Sequence, residues 1–116
     1  MRTGLLALLL LALPGLLGIV ACGPPTGDRK AEELYPKYCV KCHGPNGKGD
    51  PRQVHLYPNL DLTTSKLTGK GAHLAIYNRI AQGYGPMPGF SHRLSADEMN
   101  RLTDYSMKLN PANAGK

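Results

Sequence analysis

The sequence predicts a small helical domain whose own apolar side chains are too few to fill a core. Three segments show helical periodicity, and the stretches between them are rich in glycine and proline. After Ala21 only 33 of the remaining 95 residues are apolar, whereas 41% of the whole chain is. So small and apolar-poor a domain needs disulfides, a metal or a cofactor for stability. Because the chain holds only three cysteines, disulfides are not the main device.

The apolar excess lies in a leader at the start of the chain. Arg2 precedes an apolar run from Gly4 to Ala21, which is typical of a secretory signal peptide. A retained membrane anchor is the alternative, but Pro14-Gly15 and Gly18 interrupt the run and no basic cluster follows it at once. Ile19-Val20-Ala21-Cys22 resembles the lipobox of bacterial lipoproteins, in which cleavage occurs before a cysteine that becomes lipidated.

This resemblance divides the chain into three parts. We expect residues 1–21 to be a lipoprotein signal peptide, residues 22–28 a linker and residues 29–116 the folded domain. Lipidation of Cys22 would anchor the domain to a membrane on the periplasmic face of a bacterial cell envelope. The glycines and prolines that follow Cys22 form a semi-rigid spacer.

The first helix is predicted over about Arg29 to Lys41. Asp28 is its candidate N-cap, and Leu34, Tyr35 and Tyr38 lie on one face at helical spacing. Pro36 inside this segment predicts a kink or a shortened helix, because proline has no N–H to donate and crowds the preceding turn.

Two further helices are predicted in the second half of the chain. One covers about Gly71 to Gln82 and ends at Gly83; its apolar face comprises Leu74, Ile76, Tyr77, Ile80 and Ala81. The other opens with a capping box of Ser95 and Glu98 and ends before Pro111; its apolar stripe comprises Met99, Leu102, Tyr105 or Ser106, and Leu109. Residues 44–70 lack helix signals, and so long a segment suggests that it wraps around something.

The segment Cys39-Val40-Lys41-Cys42-His43 has the spacing of a c-type haem attachment site. At a helix end, two cysteines three residues apart reach the two vinyl groups of one porphyrin, and the next residue places its imidazole under the iron. A redox dithiol would leave His43 unexplained. A zinc site would need a second close Cys or His pair, whereas His55, His73 and His92 are scattered. A disulfide closing so short a loop would stabilise little.

Met87 is the candidate for the sixth iron ligand. It lies between Pro86 and Pro88 in a glycine-rich loop, where restricted backbone can aim a thioether. Methionines ordinarily pack in a core. That role suits Met99 better than Met87, since Met99 fits the apolar stripe of the last helix. Met107 lies off that stripe and is expected to be partly exposed. A histidine ligand from His55, His73 or His92 remains an alternative.

These motifs together resemble class I c-type cytochromes of the small bacterial single-haem kind. The resemblance covers the haem motif with its glycine turn, Pro58-Asn59-Leu60, the Met87-Pro88-Gly89-Phe90 segment and the closing helix. It implies an all-α fold of three to four helices around one covalently bound haem c. By position it also implies that the carbonyl of Pro58 accepts a hydrogen bond from the free ring nitrogen of His43.

The function implied is one-electron transfer without chemical change to a small-molecule substrate. Expected partners are membrane respiratory complexes or similar redox proteins, of which the chain could be a free shuttle or a subunit. The excess of 14 Lys and Arg over 8 Asp and Glu favours an acidic docking partner over nucleic acid, because export places the domain outside the cytoplasm. Five basic residues flank the motifs: Lys41, Lys48, Lys66, Lys70 and Arg93. The alternative is a sensing, ligand-binding or peroxidase-like haem protein, whose sixth ligand would be displaceable.

Overall fold

The computed structural model describes residues 25–114, so the predicted signal peptide and Cys22 lie outside the described residues. Residues 25–114 form four α-helices, one two-stranded ribbon and three short 3-10 turns. In chain order the helices and strands are α1 (Ala31–Tyr38), α2 (Val40–His43), α3 (Ala72–Gln82), β1 (Gly83–Tyr84), β2 (Met87–Pro88) and α4 (Ala96–Leu109). The 3-10 turns cover Pro58–Leu60, Leu62–Thr64 and Pro111–Asn113. No helix in this part of the chain is long and apolar enough to span a bilayer.

The predicted first helix is divided at Cys39 into α1 and α2, and Pro36 lies inside α1. Helix α1 ends at Tyr38, and Cys39 follows with φ −116° and ψ −38° before α2 begins. Because proline has no N–H, one carbonyl in the preceding turn loses its helical partner. The N–H of Cys39 still donates to the carbonyl of Tyr35 at 2.9 Å, and that of His43 to the carbonyl of Cys39 at 2.9 Å. Helix α2 therefore continues from α1 after a local distortion at Cys39, three residues beyond the predicted position at Pro36.

Helix α3 begins and ends at glycines with positive φ. Gly71 is its N-cap at φ +84° and Gly83 its C-cap at φ +86°. The predicted apolar face is confirmed for Ile80 and Ala81, which are buried. It is wrong for Leu74, whose side chain is 63% exposed. Leu74 lies in the first turn of α3, two turns before Ala81.

Helix α4 is the element on which the others pack. Its predicted capping box is confirmed: the N–H of Glu98 donates to Ser95 Oγ at 3.1 Å, and the N–H of Ser95 donates to Glu98 Oε2 at 3.0 Å. The helix packs against α1 and α3. The buried core comprises Ala31, Leu34, Tyr35, Ile80, Ala81, Phe90, Leu94, Met99 and Leu102. Met99 is thus a core residue and Met107 only partly buried, which confirms both predictions.

A fully buried carboxylate joins the start of α4 to the start of the domain. The Glu98 side chain has no exposed area, and Arg29 donates to it through Nε at 2.7 Å and Nη2 at 3.1 Å. The hydrogen bond from Arg29 is the main reason why the pKa of Glu98 falls from its ordinary 4.5 to about 2. The carbonyl of Gly27 also accepts a hydrogen bond from Ser95 Oγ at 2.7 Å. Contacts with α4 therefore begin at Gly27, two residues before the predicted domain start at Arg29.

Asp28 belongs to the same contact and is not the N-cap of α1, so that prediction is wrong. Its carboxylate forms an ion pair with Arg101 Nη2 at 2.5 Å, which turns it towards α4. Lys30 occupies the N-cap position without a side-chain hydrogen bond. The acidic residues of the first turn, Glu32 and Glu33, lie at the positive end of the α1 dipole.

Replacing Arg29 with alanine tests the importance of this contact. The variant leaves the buried carboxylate of Glu98 without its ion-pair partner, so we expect the free energy of unfolding to fall by roughly 2–3 kcal/mol in urea denaturation. Glu98 has a lower pKa in the folded state than in the unfolded chain. Its stabilising effect is therefore complete at neutral pH and disappears as the pH falls from about 4.5 towards about 2.

Arg52→Ala is the matched control. Arg52 also pairs with a carboxylate, that of Asp50 at 2.8 Å, but its side chain is 85% exposed. We expect a loss below about 1 kcal/mol for this variant. Equal losses in the two variants would contradict a special role for the buried pair.

Candidate functional site

The first cysteine of the attachment motif, Cys39, lies at the distortion between α1 and α2, and Cys42 lies within α2. Both are free thiols; Cys39 is partly buried and packs against the core, whereas Cys42 is exposed. Burial, aided by the proximity of Cys42, raises the pKa of Cys39 to about 12, so this thiol stays protonated at neutral pH. The spacing therefore presents one thiol at the edge of the core and one towards solvent.

The imidazole of His43 is oriented by a backbone carbonyl. Its Nδ1 lies 2.8 Å from the carbonyl oxygen of Leu60. Because a carbonyl oxygen only accepts, Nδ1 carries the proton and Nε2 keeps its lone pair. An imidazole in this tautomer can act as a metal ligand through Nε2.

Pro58 was predicted to supply this acceptor, and the structure corrects that prediction. The carbonyl of Pro58 accepts the N–H of Asp61 at 3.1 Å, inside the 3-10 turn that Pro58 opens. Leu60 ends the turn, and its carbonyl is the one directed at His43. The error is two residues, because the pattern locates the turn but not the direction of each peptide plane within it.

A glycine turn after His43 folds the chain back onto α2. Gly44 has φ +70°, and a Cβ at this position would lie 3.0 Å from the carbonyl oxygen of Gly49. The N–H of Gly49 donates to the carbonyl of His43 at 2.8 Å, and that of Asp50 donates to the carbonyl of Cys42 at 2.8 Å. These bonds hold the carbonyl end of the attachment motif against residues 44–50.

Met87 lies on the ribbon that follows α3. Strands β1 and β2 are antiparallel, with Tyr84 opposite Met87. Beyond the ribbon, the N–H of Phe90 donates to the carbonyl of Ile80 at 2.9 Å, which ties the loop to the last turn of α3. The Met87 side chain is partly buried and packs against the same core as Cys39 and Val40. The predicted stiff loop is thus a hydrogen-bonded ribbon.

The remaining histidines are exposed and have other contacts or lie apart. His73 lies 3.2 Å from Asp104, and Nε2 of His92 accepts a hydrogen bond from Arg93 at 3.1 Å. His55 is exposed in the long loop. Within residues 25–114, no three His, Cys, Asp or Glu side chains come together in the manner of a metal site.

These residues fit a haem, judged on donor chemistry and on uncovered apolar surface. Two free thiols and an imidazole with an available Nε2 lie on one short helix, and a thioether packs against the same core. In addition, four large apolar side chains of the described residues are more than half exposed: Leu56, Tyr57, Leu74 and Tyr84.

Two contributors to the site escaped the sequence analysis. The carbonyl of Leu60 has no side-chain signal at all, so no motif could have identified it. The Tyr35 hydroxyl donates to the carbonyl of Gly44 at 2.9 Å in the interior. Its signal was available, since a buried tyrosine usually finds a hydrogen-bond partner, but the partner depends on the fold.

The comparison with known families finds one match. Residues 27–105 match the family model described as cytochrome C oxidase, cbb3-type, subunit III, which is more than half of the chain. No curated protein sequence matches the chain.

The solved structures similar to it include two c-type cytochromes. Cytochrome c6 from the diatom Phaeodactylum tricornutum has a TM-score of 0.51 and 24% identity, covering 66% of this chain and 85% of that one. A c-type cytochrome named KustC0563 has a TM-score of 0.48 and 20% identity, covering 71% of this chain and 99% of that one. The likeness to cytochrome c6 is one of fold, and it agrees with the predicted class I arrangement.

Gly83→Ala tests whether the ribbon depends on close backbone packing. An added Cβ would lie 2.5 Å from the carbonyl oxygen of Met87, at a residue whose φ is +86°. Since neither backbone can yield without moving Met87, we expect the free energy of unfolding in guanidinium to fall by about 2–3 kcal/mol.

Gly85→Ala on the same ribbon is the control. Gly85 also has positive φ, at +55°, but an added Cβ there meets nothing within 4 Å. The expected loss is about 1 kcal/mol, the cost of the left-handed conformation alone. Losses of the same size in both variants would contradict this. They would show that Gly83 is required only for its positive φ and not for its close approach to Met87.

Proposed function

The chain belongs to the family described as cytochrome C oxidase, cbb3-type, subunit III, and we propose that it is a membrane-tethered carrier of single electrons. Membership makes it a small class I cytochrome c domain with one covalently bound haem c, and an electron-transfer protein. The proposal goes beyond family membership in three respects. These are the residues that hold the haem, the tether to the membrane and the redox partners.

Cys39, Cys42 and His43 are the proposed attachment site. Each thiol S–H would add across one vinyl C=C of the porphyrin, so the thioether would form without a leaving group or an oxidant. The free state of both thiols supports this assignment. The main support for His43 is the hydrogen bond from its Nδ1 to the carbonyl of Leu60. This hydrogen bond leaves Nε2 as the ring nitrogen available to the iron.

Met87 is the proposed sixth ligand. It shares the core with Cys39, and its ribbon is tied to α3 by the Phe90 N–H. A ligand held by rigid backbone changes position little between oxidation states. The haem, when bound, supplies an iron that alternates between ferric and ferrous, and a thioether ligand favours the ferrous state.

The chain's own residues then perform three tasks. His43 and Met87 would both ligate the iron, which would leave no open site for a substrate. Leu60 keeps the proton of His43 on Nδ1. Tyr84, opposite Met87 on the ribbon, would help to exclude water from the bound group.

Acidic redox proteins are the proposed partners. A broad groove beside α2 is lined in part by Val40, Lys41, Lys48 and Arg52. Lys66, Lys70 and Arg93 are exposed as well. In this groove Arg52 is paired with Asp50, so the charges of Lys41 and Lys48 are the ones that would steer an acidic surface towards the attachment motif. We place those partners among membrane respiratory complexes, either as oxidase-type assemblies that include this chain or as complexes that it visits.

Lipidation of Cys22 is the proposed tether, on the periplasmic face of a bacterial envelope. The lipobox-like Ile19-Val20-Ala21-Cys22 supports it. Only four residues separate Cys22 from Gly27, whose carbonyl is bonded to Ser95. A lipid at Cys22 would therefore keep the domain close to the bilayer surface, where its partners are embedded.

Met87→Leu tests the electron-carrier proposal against a displaceable sixth ligand. Leucine keeps the apolar bulk but has no sulfur to donate. We expect complete loss of the weak far-red absorption band that the ferric iron–thioether bond produces, and a lower reduction potential.

Met107→Leu is its control, since Met107 is a partly exposed methionine on α4. This variant should keep both the band and the potential. If the band of the wild-type protein survives in Met87→Leu, the ligand is another residue; if the wild-type protein lacks the band and binds exogenous ligands readily, the sensing or peroxidase-like function is favoured.

Cys22→Ala tests the tether. We expect the mature wild-type protein to remain with membranes and to carry a diacylglyceryl mass increment at Cys22, and the variant to appear in the soluble fraction or to retain its leader. Thr26→Ala, which alters the same segment outside the lipobox, should stay with membranes. Mass spectrometry that finds an intact Met1 or an unmodified Cys22 in the wild-type protein would refute lipidation.

A further inference from the structure

Tyr35 places a hydroxyl group inside the core, next to the attachment motif. Its side chain is 1% exposed, and the hydroxyl donates to the carbonyl oxygen of Gly44 at 2.9 Å, with both groups buried. Burial raises the pKa of Tyr35 well above its ordinary range, so the hydroxyl keeps the proton that it donates. A phenylalanine would fill the same volume without the cost of burying a polar group.

The acceptor of this hydrogen bond is the carbonyl of Gly44, the residue that directly follows His43. Gly44 begins the turn at φ +70°, and the neighbouring His43 carbonyl is already held by the N–H of Gly49 at 2.8 Å. The N–H of Gly44 donates to the carbonyl of Val40 at 2.9 Å. With Tyr35 on the Gly44 carbonyl, the backbone after His43 is therefore held at three successive polar groups.

Helix α4 holds Tyr35 from the other side. The ring of Tyr105 lies 4.8 Å from the Tyr35 ring, centre to centre, at 42° between planes. The carbonyl of Tyr35 also accepts the N–H of Cys39 at 2.9 Å. One residue thus contacts α4, the first cysteine of the motif and the turn after the histidine.

We propose that the Tyr35 hydroxyl is a positioning group for His43, acting through the Gly44 carbonyl and not by contact with the haem. This inference rests on the proposed role of His43 as an iron ligand. Two anchors would then set the imidazole plane: Leu60 at Nδ1, and Tyr35 at the backbone that carries the ring. Removing the hydroxyl leaves a buried carbonyl without its donor, so the turn shifts and the Nδ1 hydrogen bond weakens. A weaker hydrogen bond at Nδ1 makes the imidazole a poorer electron donor to iron.

Tyr35→Phe and Tyr105→Phe form a matched pair for the test. Both remove one hydroxyl from the same stacked pair of rings, but only Tyr35 bonds to Gly44. The haem-loaded proteins are compared by redox titration and by the proton NMR spectrum of the ferric state, whose shifted haem methyl resonances report the orientation of the axial ligands. In Tyr35→Phe we expect an altered order or spread of these resonances and a higher reduction potential. In Tyr105→Phe both should match the wild-type protein.

The possible outcomes distinguish the role of Tyr35 from the role of His43 as an iron ligand. If Tyr35→Phe keeps the wild-type methyl spectrum and potential, or loses only stability, the hydroxyl is structural and the positioning role is refuted. If Tyr35→Phe fails to fold with haem, the hydroxyl serves the fold as a whole, which also refutes it. If the wild-type protein itself has no low-spin spectrum of a histidine-ligated haem, the proposed ligand set fails instead.

Discussion

An imidazole that carries its proton on Nδ1 has its lone pair on Nε2, and the carbonyl of Leu60, 2.8 Å from Nδ1 of His43, fixes this tautomer and the direction of the ring. This hydrogen bond joins the shortest helix of the described chain to the long loop that follows it. The loop must return to α2 to make the bond, and the glycine turn beginning at Gly44 allows that return. The wrapped course of residues 44–62 is therefore a consequence of orienting one ring.

Helix α4 supplies the frame for that arrangement. It packs on α1 through Tyr105 and Tyr35, and it holds the start of the domain through the buried Glu98 and Arg29. A buried carboxylate is tolerable only when it is ion-paired and fully hydrogen-bonded, and both Glu98 oxygens have partners from Arg29 or Ser95. The polar contact at one end of α4 and the aromatic contact further along it thus fix the helix against α1, which leads directly into the attachment motif.

Local signals predicted most of the helices because local interactions dominate at their ends. The Ser95–Glu98 capping box and the glycine at Gly83 depend on backbone groups within one turn, so the sequence was sufficient there. Asp28 was misassigned because a residue 73 positions away, Arg101, competes for its carboxylate. Leu74 has the right spacing for the apolar face but is exposed, since periodicity states which residues share a face and not how far the core extends.

By itself, the sequence determined the chemistry of the site: two thiols and an imidazole at fixed spacing, a thioether between prolines, and too few apolar residues to fill a core alone. These features depend on residue types and on their spacing along the chain, so they can be identified from the sequence. Only the tertiary structure decided that Leu60 and not Pro58 orients His43, and that the hydroxyl of Tyr35 meets the carbonyl of Gly44. The physical reason is that carbonyl groups are present at every residue, so which of them faces a given donor depends on peptide-plane directions set by the packing of distant segments.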